Sequence, residues 1–68
     1  MEEIHIMKSR RKWGVYKKNG NRSLRNFKHR DLAFHYATRY DAKLIVHNSD
    51  GMVDFMVVYD NISNYGRK

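Results

Sequence analysis

Ten of the fourteen Lys and Arg residues lie between Lys8 and Arg30, and no carboxylate occurs between Glu3 and Asp31. A run of this kind suits one chemistry above others, the neutralisation of phosphates. Each phosphate contact releases condensed counterions and adds affinity. The candidate contacts are Arg10, Arg11, Lys12, Lys17, Lys18, Arg22, Arg25 and Lys28. Tyr16 stands among them, and an outward tyrosine offers a ring on which an unpaired base can stack. The bland alternative is a solvated, solubilising face. Ordinary surfaces intersperse both signs of charge, so the missing acids weaken that alternative.

Other chemistries find little support. There is no cysteine, so thiolate metal sites, disulfides and redox motifs are excluded. The four histidines, His5, His29, His35 and His47, lack the short paired spacings of a zinc site. His5 and His47 can meet only across neighbouring strands. Ser9, Ser23, Ser49 and Ser63 fall in or beside turns and termini, without a nucleophile elbow or a neighbouring base. Asp50 belongs to a turn and Asp31 to a helix start. The glycines form no phosphate-cradling loop. The expectation is a non-enzymatic protein with no catalytic residues, no metal and no cofactor.

The elements that must position the cations follow from periodicity. Ile4 and Ile6 alternate with polar residues from Glu3 to Met7, a short strand. Lys8 to Arg11 is a polar turn. From Lys12 to Lys18, Trp13 and Val15 share one face and Lys12, Gly14, Tyr16 and Lys18 the other, which gives a hairpin with Trp13 and Val15 towards the core. Asn19-Gly20 is a strong hairpin-turn signal. Ser23 to Phe27 reads as a third short strand. His29 to Asp41 reads as a helix, because Ala33, Tyr36, Ala37 and Tyr40 make one apolar stripe. Asp31 and Arg39 suit the two ends of its dipole. Lys43 to His47 is a strand, residues 48–51 a turn, and Met52 to Tyr59 the last strand. The fold class is α+β: a small antiparallel sheet in the order β-β-(β)-α-β-β, with one helix packed on one face. Residues 1–60 form a single domain, and residues 61–68 a polar, flexible tail.

The last strand is apolar on both sides. Val53, Phe55, Val57 and Tyr59 make one face; Met52, Met56 and Val58 make the other, interrupted by Asp54. A half-exposed strand should alternate apolar with polar. One helix covers one face only, so Ile45, Met52, Asp54, Met56 and Val58 are the candidate dimer or partner interface. Two arrangements fit, scattered surface hydrophobes of the ordinary kind or a homodimer packed sheet to sheet, and a buried Asp54 carboxylate would need a partner, as across such an interface.

The order of these motifs resembles a known family. Trp13 and Val15 in a W-x-V strand, Gly20, Phe27, Asp31 and Ala33 at the helix start, and KLIVHNSDGMV at 43–53 resemble the small bacterial and phage family called domain of unknown function 2188. The resemblance spans most of residues 4–60, and the LIVH–DG element is its most specific part. It implies a β-β-α-β-β domain and carries no assigned activity. His29 stands where that family usually has a threonine helix cap, which implies a weaker helix start. Residues 12–37 also resemble the arm-type DNA-binding domains of tyrosine integrases and their AP2-like relatives, which use a sheet to contact DNA.

Sixty-eight residues make one thin-cored domain, and a partner subunit can supply missing burial. The amino-terminal residues carry two acids and no long apolar run, so no signal peptide is expected. The longest apolar run, FMVVY, is far short of a membrane span. The expectation is a cytoplasmic protein without membrane contact. Its function is read as nucleic-acid binding, to DNA or RNA, through the N-terminal hairpin region. The alternative is a phage-type interaction module that binds and modulates a host protein.

Overall fold

The computed structural model describes residues 2–20 and 22–60. The expected tail, 61–68, lies outside the described residues. The elements are β1 (Glu2–Ser9), β2 (Lys12–Lys17), β3 (Arg25–Phe27), α1 (Arg30–Ala37), β4 (Ala42–His47) and β5 (Val53–Tyr59). They form an α+β domain with a five-stranded sheet in the order β3-β2-β1-β4-β5. No helix among the described residues is long and apolar enough to cross a membrane.

The sheet is mixed rather than antiparallel. β1 pairs parallel with β4, and the other neighbours pair antiparallel. The reason is the crossover. After the β1–β2–β3 meander, α1 carries the chain across one face and returns it to the end where β1 began. β4 must then run alongside β1, as a helical crossover between neighbouring strands requires.

Alternation sorts the side chains as the hydrophobic pattern demands. Ile4 and Ile6 from β1, Val15 from β2, and Ala42, Leu44 and Val46 from β4 turn to the helix and are fully buried. Ala33 and Ala37 meet them from α1, and such small side chains let a helix sit close to a sheet. Trp13, Phe27, Phe34, Tyr36, Tyr40, Val57 and Tyr59 pack around this centre. Among the described residues five large side chains are wholly buried, so each contributes an appreciable share of the stability, about 1.5–3 kcal/mol.

Three local features depart from the sequence pattern. The regular helix stops at Ala37, short of Asp41. Thr38 turns its hydroxyl back onto the His35 carbonyl (2.7 Å), and the next amides bond three residues back, from Arg39 to Tyr36 and from Tyr40 to Ala37. This tighter turn still delivers Tyr40 to the core. Asn19-Gly20 is not a two-residue hairpin loop. Asn19 takes a left-handed φ of 68° within a turn closed by Gly20 N–H to the Lys17 carbonyl (2.9 Å), and the chain runs on to β3 at Arg25. Finally, the β4–β5 ladder slips between Val46 and His47, placing Phe55 opposite Val46 and Val53 opposite His47. Asp54 is the extra residue of this bulge.

The bulge turns Asp54 away from the interface expected for it. Its carboxylate pairs with Arg30 at the helix start (3.0 Å). Arg30 also donates to the His47 carbonyl (3.1 Å), and its guanidinium lies over the Trp13 and Phe55 rings (5.8 and 5.9 Å). One side chain thus ties α1 to β2, β4 and β5. Asp54 has its partner within the chain.

The helix start is undercapped. His29 occupies the N-cap position with extended backbone, and its side chain makes no capping bond. A threonine there can bond a free amide of the first turn. His29→Thr is expected to raise unfolding stability by about 1 kcal/mol, read as a shifted urea midpoint at unchanged m-value.

Candidate nucleic-acid interface

Strand β2 divides its residues between two environments. Trp13 and Val15 face the helix, and Lys12, Gly14 and Tyr16 face the uncovered side. The register aligns Gly14 with Asn26 of β3 and with Met7 of β1, and Tyr16 with His5. Gly14 is buried beneath its neighbours. A Cβ at Gly14 would stand 2.7 Å from Tyr16 Cε1 and 3.0 Å from Asn26 Oδ1. The missing side chain is what lets the Tyr16 ring and the Asn26 amide close over the strand.

Above this floor lies an open hollow of about 420 Å³. Tyr16 and Asn26 form its base, Ser9 and Ser23 offer hydroxyls, and Arg10, Arg11 and Lys12 form its rim. A neighbouring hollow of about 340 Å³ shares Arg11, Lys12 and Asn26 and adds Phe27 and Lys28. On the other side of Tyr16, a hollow of about 300 Å³ is lined by His5, Met7, Lys17, Lys18 and His47 among others. Tyr16 therefore stands between two depressions with cations at the margin of each.

The turn that supplies Arg10 and Arg11 is two residues long, because Ser9 pairs directly with Lys12. Arg10 adopts a φ of 61°. That conformation costs a side-chain-bearing residue roughly 1–2 kcal/mol relative to right-handed backbone, and glycine or asparagine is its usual occupant.

The fold does not gather all the expected cations. Arg25 aligns with Val15 and lies on the helix side, its guanidinium 5.9 Å from the Phe27 and Tyr36 rings. It lines a separate hollow there, so it is removed from the Tyr16 surface. Arg22 is exposed on the β2–β3 connection and lines none of these hollows. Pairing of β1 with β2 brings acids to the other end of the strand. Lys17 sits 3.2 Å from Glu2, and the Lys18 amide donates to the Glu3 carbonyl (2.9 Å). The Lys17–Glu2 pair is exposed and worth little, but it dilutes the positive potential there. Among the described residues, Arg10, Arg11, Lys12 and Lys28 have no carboxylate within ion-pair distance. The potential is concentrated at the Arg10–Lys12 end. Ser9, Ser23 and Asn26 were not legible as site residues; the glycine inside a strand, Gly14, was the available signal.

His5 and His47 do meet, with Nδ1 of His5 2.9 Å from Nε2 of His47. His47 Nδ1 must donate to the Gly51 carbonyl (3.0 Å), which leaves its Nε2 to accept from His5. His5 Nε2 then faces Glu3 Oε1 at 3.0 Å. The two rings spend their nitrogens on each other and on protein oxygens, and no group of three metal-ligating side chains occurs among the described residues. The hydrogen bond from His5, with Lys18 and Lys43 further out, holds the Glu3 carboxyl below the usual carboxylate range.

No family model, curated protein or solved structure matches this chain, so its geometry alone carries the functional reading.

Two outcomes follow. The folded Glu3 carboxyl is depressed, so its contribution to stability is present above the unfolded carboxylate range and is lost as pH falls through the folded value. Glu3→Gln is expected to flatten the acid limb of a plot of urea midpoint against pH. Gly14→Ala is expected to leave the melting temperature nearly unchanged, because the atoms it meets belong to side chains that can swing. It should shift the Tyr16 ring resonances in NMR spectra.

Proposed function

We propose that this protein binds single-stranded nucleic acid on the uncovered face of its sheet. The observation that carries the reading is the hollow beside Tyr16, where an aromatic ring, an amide and two hydroxyls lie inside a rim of Arg10, Arg11 and Lys12. A base stacked on Tyr16 meets the Asn26 amide and the serine hydroxyls at its edge. The flanking phosphates meet the rim cations, with Lys28 on one side and Lys18 on the other; Lys17 alternates to the helix side with Val15 and is paired with Glu2. An unpaired strand suits this surface because its bases can turn inwards, whereas duplex bases are held in their own stack. Docking on an acidic protein surface would use the same cations but has no need of the hollow.

Titration into labelled single-stranded DNA, single-stranded RNA and duplex DNA at several salt concentrations tests this. Contact with three or four phosphates gives a slope of log affinity against log salt of about −2 to −3 for single strands. Arg11→Glu with Lys12→Glu should abolish binding at physiological salt. Arg10→Gly should weaken it several-fold while leaving the melting temperature equal or higher, because glycine accepts the left-handed turn freely. Affinity insensitive to salt and to these substitutions overturns the reading.

A further inference from the structure

Strand β5 lies at the edge of the sheet with nothing beyond it among the described residues. Edge strands ordinarily carry a defence against pairing with another chain, such as lysine, proline or extreme shortness. β3, the opposite edge, is three residues long and flanked by cations. β5 is seven residues long, and its stretch Phe55–Tyr59 is uncharged. No Lys, Arg or Pro occurs between Lys43 and Arg67. Phe55, Met56 and Val58 are 43%, 58% and 58% exposed, apolar on both faces of the strand. The sheet-to-sheet packing expected from the sequence fits less well, because Ile45 is only 7% exposed and Asp54 is engaged by Arg30.

We propose that a second copy of this chain pairs antiparallel with β5 at the edge, centred on Val57. The pattern is self-complementary about that residue. Antiparallel partners share a face of the sheet, so odd positions must meet odd positions and even must meet even. Centred on Val57, Phe55 lies opposite the partner's Tyr59, Met56 opposite the partner's Val58, and Val57 opposite its own copy. Phe55 and Tyr59 already pack on Phe34 of the helix, at ring distances of 5.9 and 6.2 Å. The pairing extends that aromatic cluster across the two-fold axis. Centring on Met56 instead would draw the Asp54 bulge into the ladder and set Asp54 against the partner's Val58.

The net +7 does not oppose this association, and the ladder stops at Phe55 and Tyr59, short of the like-charge pairing of Asp54 with the partner's Asp60 that one more rung would create. The cation clusters lie by β2 and β3, at the far edge of each copy. From β2 to the partner's β2 is seven strand spacings, about 34 Å, well beyond the screening length at physiological salt. Five residues on each side bury on the order of 1,000 Å² in total, the lower bound for a specific interface, so the dimer should dissociate on dilution. None of this rests on nucleic-acid binding.

Sedimentation equilibrium of the full chain, free of nucleic acid, from micromolar to millimolar concentration is the test. The expected result is a reversible monomer–dimer equilibrium, with concentration-dependent hydrogen-exchange protection of β5 amides. Met56→Lys with Val58→Lys sets four like charges together and should weaken dimerisation at least tenfold. Met56→Lys with Val58→Glu places opposite charges across the axis and should restore it. Both positions are exposed, and unchanged circular dichroism of each variant establishes that it folds. A monomer throughout the range overturns the proposal. So does a dimer without protection of β5, or one indifferent to both double variants.

Discussion

One eight-residue helix must serve a five-stranded sheet, and that disproportion governs the rest of the molecule. The helix covers one face. Ile4, Ile6, Val15, Leu44 and Val46 are buried there against Ala33 and Ala37. The other face has to be made compatible with water or with a partner, strand by strand. Arg30 makes the arrangement coherent from the covered side, since its contacts reach β2, β4 and the β5 bulge from the start of α1.

The uncovered face meets this demand differently across its width. At β3 and β2 it is polar and cationic, with Tyr16 lying over Gly14 beside Asn26. At β1 and β4 the paired rings of His5 and His47 satisfy one another between Glu3 and the Gly51 carbonyl. At β5 the solution is neither charge nor hydrogen bonding, and Met56 and Val58 remain exposed. The gradient separates two kinds of contact. Cationic surface lies at one edge and apolar surface at the other, so the proposed nucleic-acid site and the proposed pairing at β5 do not compete for the same edge.

Local pattern made much of this legible. The alternation of Trp13 and Val15, the Ile4–Ile6 pair, the Ala33–Ala37 stripe and the residues 48–51 turn all concern neighbours within a few residues, where periodicity constrains geometry directly. What was hidden depends on distant pairing. The parallel β1–β4 ladder joins residues some forty positions apart and has no local signature. It also follows from strand pairing that Glu2 and Glu3 reach Lys17 and Lys18, although the acid-free run suggested an unopposed cluster. A single bulge shifted Asp54 off the pattern on which its interface role rested. Arg25 was legible in principle, because it shares parity with Phe27 in a strand whose Phe27 faces the helix.

The central claim is that the uncovered face, and specifically the side of β2 bearing Tyr16, receives the ligand. The most direct measurement is an amide and side-chain NMR titration with a short single-stranded oligonucleotide. The account predicts perturbations at Lys12, Tyr16, the Asn26 amide side chain and the Arg10–Arg11 turn, with the Trp13 indole and Arg25 side chain unmoved. Perturbations centred on Arg25, Tyr36 and Arg39 of the helix side, or none at all, would contradict it.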